Sequence, residues 1–133
     1  MNLLSINNLS IRHGQQVLVD DLSLTINAGE WLALVGESGS GKSLTALACL
    51  GLLAPSLKSQ GEVSVTGINL AHATPDELRS LRGNRVGMVY QEPLSALNPL
   101  HRIGQQLIEA ITLHQALPLN LARQKALSLL REV

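Results

Sequence analysis

The chain has 133 residues, about the length of one domain, of which 45% are hydrophobic and 15% charged. This composition is typical of a packed globular interior and not of a disordered chain. Ten basic residues balance ten acidic ones, so charge gives no reason to expect binding to nucleic acid. Cys49 is the only cysteine, which excludes an internal disulfide, and we expect it to be a small core residue.

Nothing in the sequence predicts secretion or membrane spanning. No basic residue precedes the first apolar positions of the N-terminus, as a secretion signal requires. The longest apolar run, residues 46–54, is far shorter than the ~20 residues that cross a bilayer. We therefore expect a soluble, cytoplasmic chain, which leaves contact with a membrane protein open.

Strand patterns dominate the first part of the chain. Residues 22–26 alternate apolar and polar side chains, which predicts a half-buried strand. Residues 31–35 (WLALV) are apolar without alternation, which predicts a strand covered on both faces, as in a parallel sheet. Residues 42–53 have helical periodicity, and residues 62–66 alternate again, as expected of an outer strand.

Helical patterns dominate the remainder. Residues 74–77 (TPDE) have the form of a capping box with proline at the first helical position, which predicts a short helix. Residues 86–90 predict one more strand. Helical periodicity begins at Ile103, is broken by Pro118 and resumes from about Leu121 to the end.

Residues 36–43 (GESGSGKS) satisfy the phosphate-loop pattern G-x-x-x-x-G-K-[ST]. Glycines let the backbone turn successive N–H groups toward an anion, and the following helix directs its positive end at phosphate. Lys42 supplies a positive charge for the β- and γ-phosphates, and the Ser43 hydroxyl suits Mg²⁺. We expect the Glu37 side chain to point outward. The predicted nucleotide-binding residues of this segment are Gly36, Glu37, Ser38, Gly39, Ser40, Gly41, Lys42, Ser43 and Leu44.

The loop, together with VYQEPLSALNP at residues 89–99, resembles the ATP-binding subunits of ABC transporters. The segment QEPLSALNP is most similar to the branch that imports oligopeptides, dipeptides and nickel. The resemblance extends from Leu3 to Val133. It implies an α/β fold of the P-loop NTPase type, with a β-rich core part at residues 1–93 and the start of a helical subdomain at residues 94–133. The implied ligands are ATP and Mg²⁺.

The resemblance also assigns roles to single residues. Gln91 matches the family's Q-loop glutamine, which contacts Mg²⁺ and the attacking water and couples the ATP site to the transmembrane subunits. Gln91 and Lys42 are thus the expected catalytic residues, and Ser43 and Gln91 the expected metal ligands. The family stacks an aromatic side chain on adenine, and the matching position here is His13. An imidazole offers less stacking surface than Tyr or Trp, and a solvated turn histidine beside Gly14 is an equal alternative.

The partners that the resemblance implies are transmembrane permease subunits, a second ATPase domain in a head-to-tail dimer and, indirectly, a periplasmic binding protein, but no nucleic acid. The implied location is the cytoplasmic face of the membrane, as a peripheral subunit. The implied function is ATP hydrolysis that drives import, with peptides as the expected solute.

Several elements that this family uses for hydrolysis do not occur in the 133 residues. There is no LSGGQ-like segment and no apolar strand ending in Asp-Glu, and no Asp follows Gln91. We therefore expect an incomplete domain, an N-terminal fragment that binds nucleotide weakly and turns over little. Apolar edges beside residues 31–35 would invite pairing with another chain.

Two other functions are considered. A small P-loop kinase would carry an arginine-bearing lid, and a GTPase an N-K-x-D segment, neither of which occurs here. A non-catalytic nucleotide-binding or interaction module remains an alternative, and a comparison of ATPase activity between this chain and a longer version would separate it from an ATPase.

Overall fold

The structure is a computed structural model that describes residues 1–92 and 96–133. The chain divides into two units, Met1–Arg79 and Ser80–Val133. The boundary predicted between residues 93 and 94 lies outside the described residues. Within the described ranges the elements, in chain order, are β1 (Asn2–His13), β2 (Gln16–Asn27), α1 (Lys42–Cys49), β3 (Leu57–Val65), β4 (Ile68–Asn69), α2 (Pro75–Leu81), α3 (Ile103–His114) and α4 (Leu119–Glu132).

The first unit is built on an antiparallel sheet with the strand order β2-β1-β3-β4. The central strand β1 carries the core: Ile6, Leu9 and Ile11 are almost fully buried. Ile6 and Leu9 are three residues apart, which in a regular strand would place them on opposite faces. A register shift between them, with Asn8 at a φ of 51°, adds the extra residue of a bulge and returns Leu9 to the core side.

The bulge is matched on the neighbouring strands. Asp21 on β2 also has a positive φ, of 48°, and its carboxylate accepts a hydrogen bond of 2.7 Å from the Asn8 side chain. The Asn8 N–H donates to the Ser23 hydroxyl at 2.8 Å. On β3, a Cβ added to Gly61 would collide with the backbone of Asn8. Polar side chains of β2 and a glycine of β3 thus accommodate the bulge at Asn8. The bulge is therefore a regular feature of this sheet.

The strand predicted at residues 31–35 is not formed. Trp31 is fully exposed and Val35 is 89% exposed, and no strand in the described part of the chain pairs with this segment. A continuous apolar run forms a buried strand only where neighbouring strands take its backbone hydrogen bonds and both faces are covered. The antiparallel sheet instead recruits β1, β2, β3 and β4, so the prediction of a doubly covered strand is wrong here.

The strand predicted at residues 86–90 is also absent. Val86 forms an isolated bridge with Arg82 and no strand, and Val89 is 93% exposed. The sequence predicted that Gln91 follows the end of this strand, and that prediction is wrong because the strand is not formed.

Helix α1 ends earlier than the predicted Leu53. It stops at Cys49 because Gly51, at a φ of 61°, terminates it. The Gly51 N–H donates to the Ala48 carbonyl at 3.0 Å, and the Leu52 N–H donates to the Leu47 carbonyl at 2.9 Å. This pair of bonds is the Schellman motif, which closes a helix at a left-handed residue and favours glycine there.

The helices of the later part of the chain agree with the sequence pattern. The capping box of α2 is confirmed: Thr74 Oγ1 accepts from the Glu77 N–H at 3.3 Å, and the Glu77 carboxylate accepts from the Thr74 N–H at 2.8 Å. Helices α3 and α4 are separated at Pro118, as predicted, and pack through Ile111, Ala122 and Ala126. Each helix in the described ranges is too short or too polar to cross a bilayer.

Candidate nucleotide-binding site

The phosphate loop connects residues 31–35 to α1. Gly39 and Gly41 have φ values of 83° and 88°, in the region that favours glycine. Gly41 is buried against β2, where an added Cβ would lie 2.6 Å from Val19 Cγ2 and 2.7 Å from the Leu18 carbonyl oxygen. Both the backbone conformation and this close approach disfavour any other residue at Gly41, and the contact with β2 anchors the end of the loop on the sheet.

The Lys42 ammonium group lies against the loop. Nζ donates hydrogen bonds to the carbonyl oxygens of Gly36 at 2.8 Å and Glu37 at 2.6 Å, and to Ser40 Oγ at 3.2 Å. A turn within the loop supports this arrangement, because the Ser40 N–H donates to the Glu37 carbonyl at 3.2 Å. The positive charge is thus held beside the loop backbone and not extended into solvent.

A cavity of about 160 Å³ lies at the junction of the loop and α1. Pockets that enclose a whole small ligand usually measure about 300–1,000 Å³, so this cavity has room for phosphate groups, with the rest of a nucleotide outside it. Gly36 and Glu37 do not line the cavity but contribute carbonyl oxygens to Lys42, and the Glu37 residue is exposed. The lining residues are Gly39, Ser40, Gly41, Lys42, Ser43 and Leu44.

The N-terminus of α1 is suited to an anion. Its N-cap residue is Gly41, which has no side chain to cap the helix, and its first turn contains no acidic residue. The first N–H groups of a helix have no partner within the helix, and they carry the positive end of its dipole. The buried Thr45 hydroxyl donates to the Gly41 carbonyl at 3.1 Å and so orients that carbonyl into the helix. These features fit a phosphate group, and Ser43, in the first turn of α1, lines the same cavity.

The structure brings the predicted residues 36–44 together in this loop, and His13 is not part of it. His13 is the exposed last residue of β1 and pairs with Gln16 across the hairpin. Leu18, two residues after Gln16 and roughly 7 Å farther along β2, contacts Gly41 of the loop. The β1–β2 hairpin turn therefore leads into the strand that anchors the loop. Stacking of His13 on a base stays a prediction.

Gln91 is exposed and belongs to the second unit. Its predicted roles toward the metal and the attacking water stay predictions. Pro93, which follows it in the sequence pattern, lies outside the described residues.

Sequence reasoning missed three residues that support the loop. Leu18 and Val19 form the surface against which Gly41 packs, and Thr45 bonds to the Gly41 carbonyl. The phosphate-loop pattern extends only to Ser43, and nothing in it indicates which strand lies beneath the last glycine. Thr45 carried a weak signal, since threonine inside a helix often bonds to the carbonyl four residues earlier.

The loop, its lysine and the uncapped helix define a phosphate-binding site of the P-loop class. A family model described as ABC transporter matches residues 19–132. The chain therefore belongs to the ABC transporter family, as the sequence resemblance had indicated.

Individual relatives agree with this assignment. The ABC transporter ATP-binding protein YejF of Escherichia coli is 48% identical, in an alignment that covers 98% of this chain and 26% of the relative. The oligopeptide transport ATP-binding protein OppD of Salmonella typhimurium is 40% identical over 86% of this chain and 36% of the relative. This chain thus spans between about a quarter and two fifths of the curated relatives that it matches.

A solved structure confirms the fold. The ATP-binding subunit of an ABC transporter superposes with a TM-score of 0.58 at 26% identity, covering 84% of this chain and 42% of that structure. The predicted ABC ATPase fold is therefore confirmed, although the strands predicted at residues 31–35 and 86–90 are not formed in the described chain.

Proposed function

We propose that the chain binds ATP with Mg²⁺ through residues 36–44, as the phosphate-binding part of the energy-coupling subunit of an ABC importer. The observation that carries this proposal is the Lys42 ammonium group, which lies within 2.6–3.2 Å of three loop oxygens beside an uncapped helix N-terminus. A cation held at that point, next to helix N–H groups that have no partner within the helix, matches a polyphosphate better than a neutral ligand.

The chemistry of each residue follows from its place. Lys42 would exchange part of its contact with the loop oxygens for the β- and γ-phosphates. Ser43 would coordinate Mg²⁺, which when bound neutralises charge on the same phosphates. His13 would stack on the base, and Gln91 would contact the metal and the attacking water in the active form.

We propose further that hydrolysis belongs to the whole protein and that these 133 residues bind ATP without appreciable turnover. Phosphoryl transfer requires charge neutralisation on the phosphate and a group that orients the attacking water. Lys42, Ser43 and the loop amides supply the first requirement. Gln91 is the residue that we assign to the second requirement, and its neutral amide is a weak base.

The proposed solute is a peptide, and the proposed partners are transmembrane permease subunits and a second ATPase domain, with a periplasmic binding protein acting through the permease. The support is the similarity to proteins named for oligopeptide and dipeptide transport, at 40% and 37% identity. The protein would then act at the cytoplasmic face of the membrane as a peripheral subunit.

Isothermal titration calorimetry tests the binding step. The wild-type chain should bind MgATP, and Lys42→Ala should weaken binding by roughly ten- to a hundredfold, since a hydrogen-bonded charge is lost. Lys58→Ala is the matched control, because Lys58 is an exposed lysine on β3 and should leave the affinity unchanged. Absence of heat from a sample that circular dichroism shows to be folded would contradict the proposal.

A second pair of experiments tests turnover and transport. Phosphate release by the chain should remain at background, and magnesium-dependent release that Lys42→Ala abolishes would contradict the proposed lack of turnover. In cells, a Lys42→Ala allele should block uptake of a labelled oligopeptide while uptake of a labelled sugar continues. Unchanged peptide uptake would argue against the proposed solute.

A further inference from the structure

Gly36, the first glycine of the phosphate loop, is not explained by its backbone. Its φ lies outside the left-handed region, unlike those of Gly39 and Gly41. A Cβ built on Gly36 would instead lie 2.6 Å from Ser40 Oγ and 3.4 Å from Ser40 Cβ. The group that excludes a side chain at position 36 is therefore the Ser40 hydroxyl.

The same hydroxyl contacts the lysine. Ser40 Oγ accepts a hydrogen bond of 3.2 Å from Lys42 Nζ. The other two acceptors of Lys42 are backbone carbonyls, at Gly36 and Glu37, which any residue would supply. Ser40 is thus the one acceptor of the three that depends on the identity of a side chain.

We propose that Ser40 is a positioning residue for Lys42, and that Gly36 is glycine because it leaves the space that the Ser40 hydroxyl occupies. A methyl group at position 36 would turn the short Ser40 side chain about its single χ angle and break the contact with Nζ. Substitutions at positions 36 and 40 therefore act through one event, the release of one acceptor from Lys42. The consequence for ATP affinity rests on the proposed function, whereas the consequence for the free chain does not.

The free chain is tested by competitive acylation of its lysines with a low dose of acetic anhydride, read by mass spectrometry. The chain has three lysines, and exposed Lys58 serves as the internal reference for Lys42. Ser40→Ala and Gly36→Ala should each raise the modification of Lys42 relative to Lys58 by roughly twofold or more, because a hydrogen bond to a charged group is lost. Ser40→Thr, which keeps the hydroxyl, should behave like wild type.

Calorimetry on the same variants tests the coupling between the two positions. Gly36→Ala and Ser40→Ala should each weaken MgATP binding by roughly three- to tenfold. The double variant should be no weaker than the worse single variant, since Ser40→Ala removes the oxygen that the new methyl group at position 36 would meet. Independent effects would multiply. Gly87→Ala is the matched control, because Gly87 has no positive φ and an added Cβ there meets nothing within 4 Å.

The outcomes separate the two proposals. If wild type binds MgATP and the single effects multiply in the double variant, the positioning role is wrong. The role is equally wrong if Ser40→Ala leaves Lys42 acylation unchanged, or if Ser40→Thr behaves like Ser40→Ala. If wild type shows no binding while Lys42 acylation responds as stated, nucleotide binding fails and the Ser40–Lys42 relationship stands.

Discussion

The backbone of Gly41 lies directly against Leu18, so that a Cβ added to Gly41 would sit 2.7 Å from the Leu18 carbonyl oxygen. This contact joins the phosphate loop to β2, the strand that also carries one side of the His13 hairpin. The site therefore depends on the antiparallel sheet as well as on α1. The loop contains two glycines with positive φ that differ in their surroundings. Gly41 contacts the backbone of Leu18, whereas Gly39 has open space beside it.

Alanine at Gly41 and at Gly39 should have different costs. Both residues have positive φ, but the added Cβ at Gly39 meets nothing within 4 Å. Gly39→Ala should lower the free energy of unfolding by about 1–2 kcal/mol, the cost of a left-handed residue. Gly41→Ala should cost about 1–3 kcal/mol more, because overpacking is added. Urea denaturation measures both, and equal losses would show that the contact with Leu18 and Val19 does not limit the position.

The capping box of α2 should be visible in the titration of Glu77. Hydrogen bonds from the backbone N–H and then the side chain of Thr74 lower the pKa of the Glu77 carboxyl. A lowered pKa means that Glu77 stabilises the fold above its unfolded pKa and that this contribution is lost as the pH falls through the folded pKa. NMR titration should find the pKa below its ordinary value.

Thr74→Ala provides the comparison for Glu77. The variant should lose about 1 kcal/mol of stability, as expected for the loss of an N-cap. It also removes the Thr74 hydroxyl donor, so the Glu77 pKa should rise toward its ordinary value. If the pKa stays low in Thr74→Ala, the backbone N–H alone accounts for it.

Trp31 reports directly on the segment before the phosphate loop. It is the only tryptophan of the chain, and its side chain is fully exposed. Its fluorescence should therefore resemble that of free tryptophan in water and should be quenched freely by iodide. A blue-shifted emission protected from iodide would show that residues 31–35 are covered, either within the chain or by a second copy, and a dilution series would distinguish these two cases.

Cys49 should be a slow thiol. Burial raises its pKa, so little thiolate is present near neutral pH. The Cys49 thiol is neutral in both the folded and the unfolded chain when the pH is below the unfolded-state pKa, so it has no effect on stability there. As the pH rises above that value, the unfolded chain loses the thiol proton first, and the fold loses stability until the pH passes the raised pKa of the folded state. Iodoacetamide at pH 8 should modify Cys49 more slowly in the native chain than in urea. Equal rates would contradict burial.

Local signals in the sequence predicted some elements well. The alternation at residues 22–26, the capping box at Thr74 and the break at Pro118 each depend on neighbouring residues, and each is present in the structure. The end of α1 was mispredicted because apolar periodicity continues past Gly51, whereas the backbone reverses there.

Features that depend on contacts between distant parts of the chain could not be predicted from the sequence. The runs at residues 31–35 and 86–90 have strand composition, but a strand exists only with a hydrogen-bonded neighbour, which composition does not specify. For the site, the loop pattern identified Lys42 and its glycines. It did not show that Gly41 rests on Leu18 or that Gly36 faces Ser40, because both contacts depend on the folded path of the chain.

The two ends of the phosphate loop are held in different ways. Gly41 rests on β2, whereas the residues that lead into Gly36 belong to no strand in the described chain. Any strand that docks beside residues 31–35 would stiffen the Gly36 end and reduce the conformational entropy that the loop loses when ATP binds. By thermodynamic reciprocity, ATP would tighten that docking by the same factor.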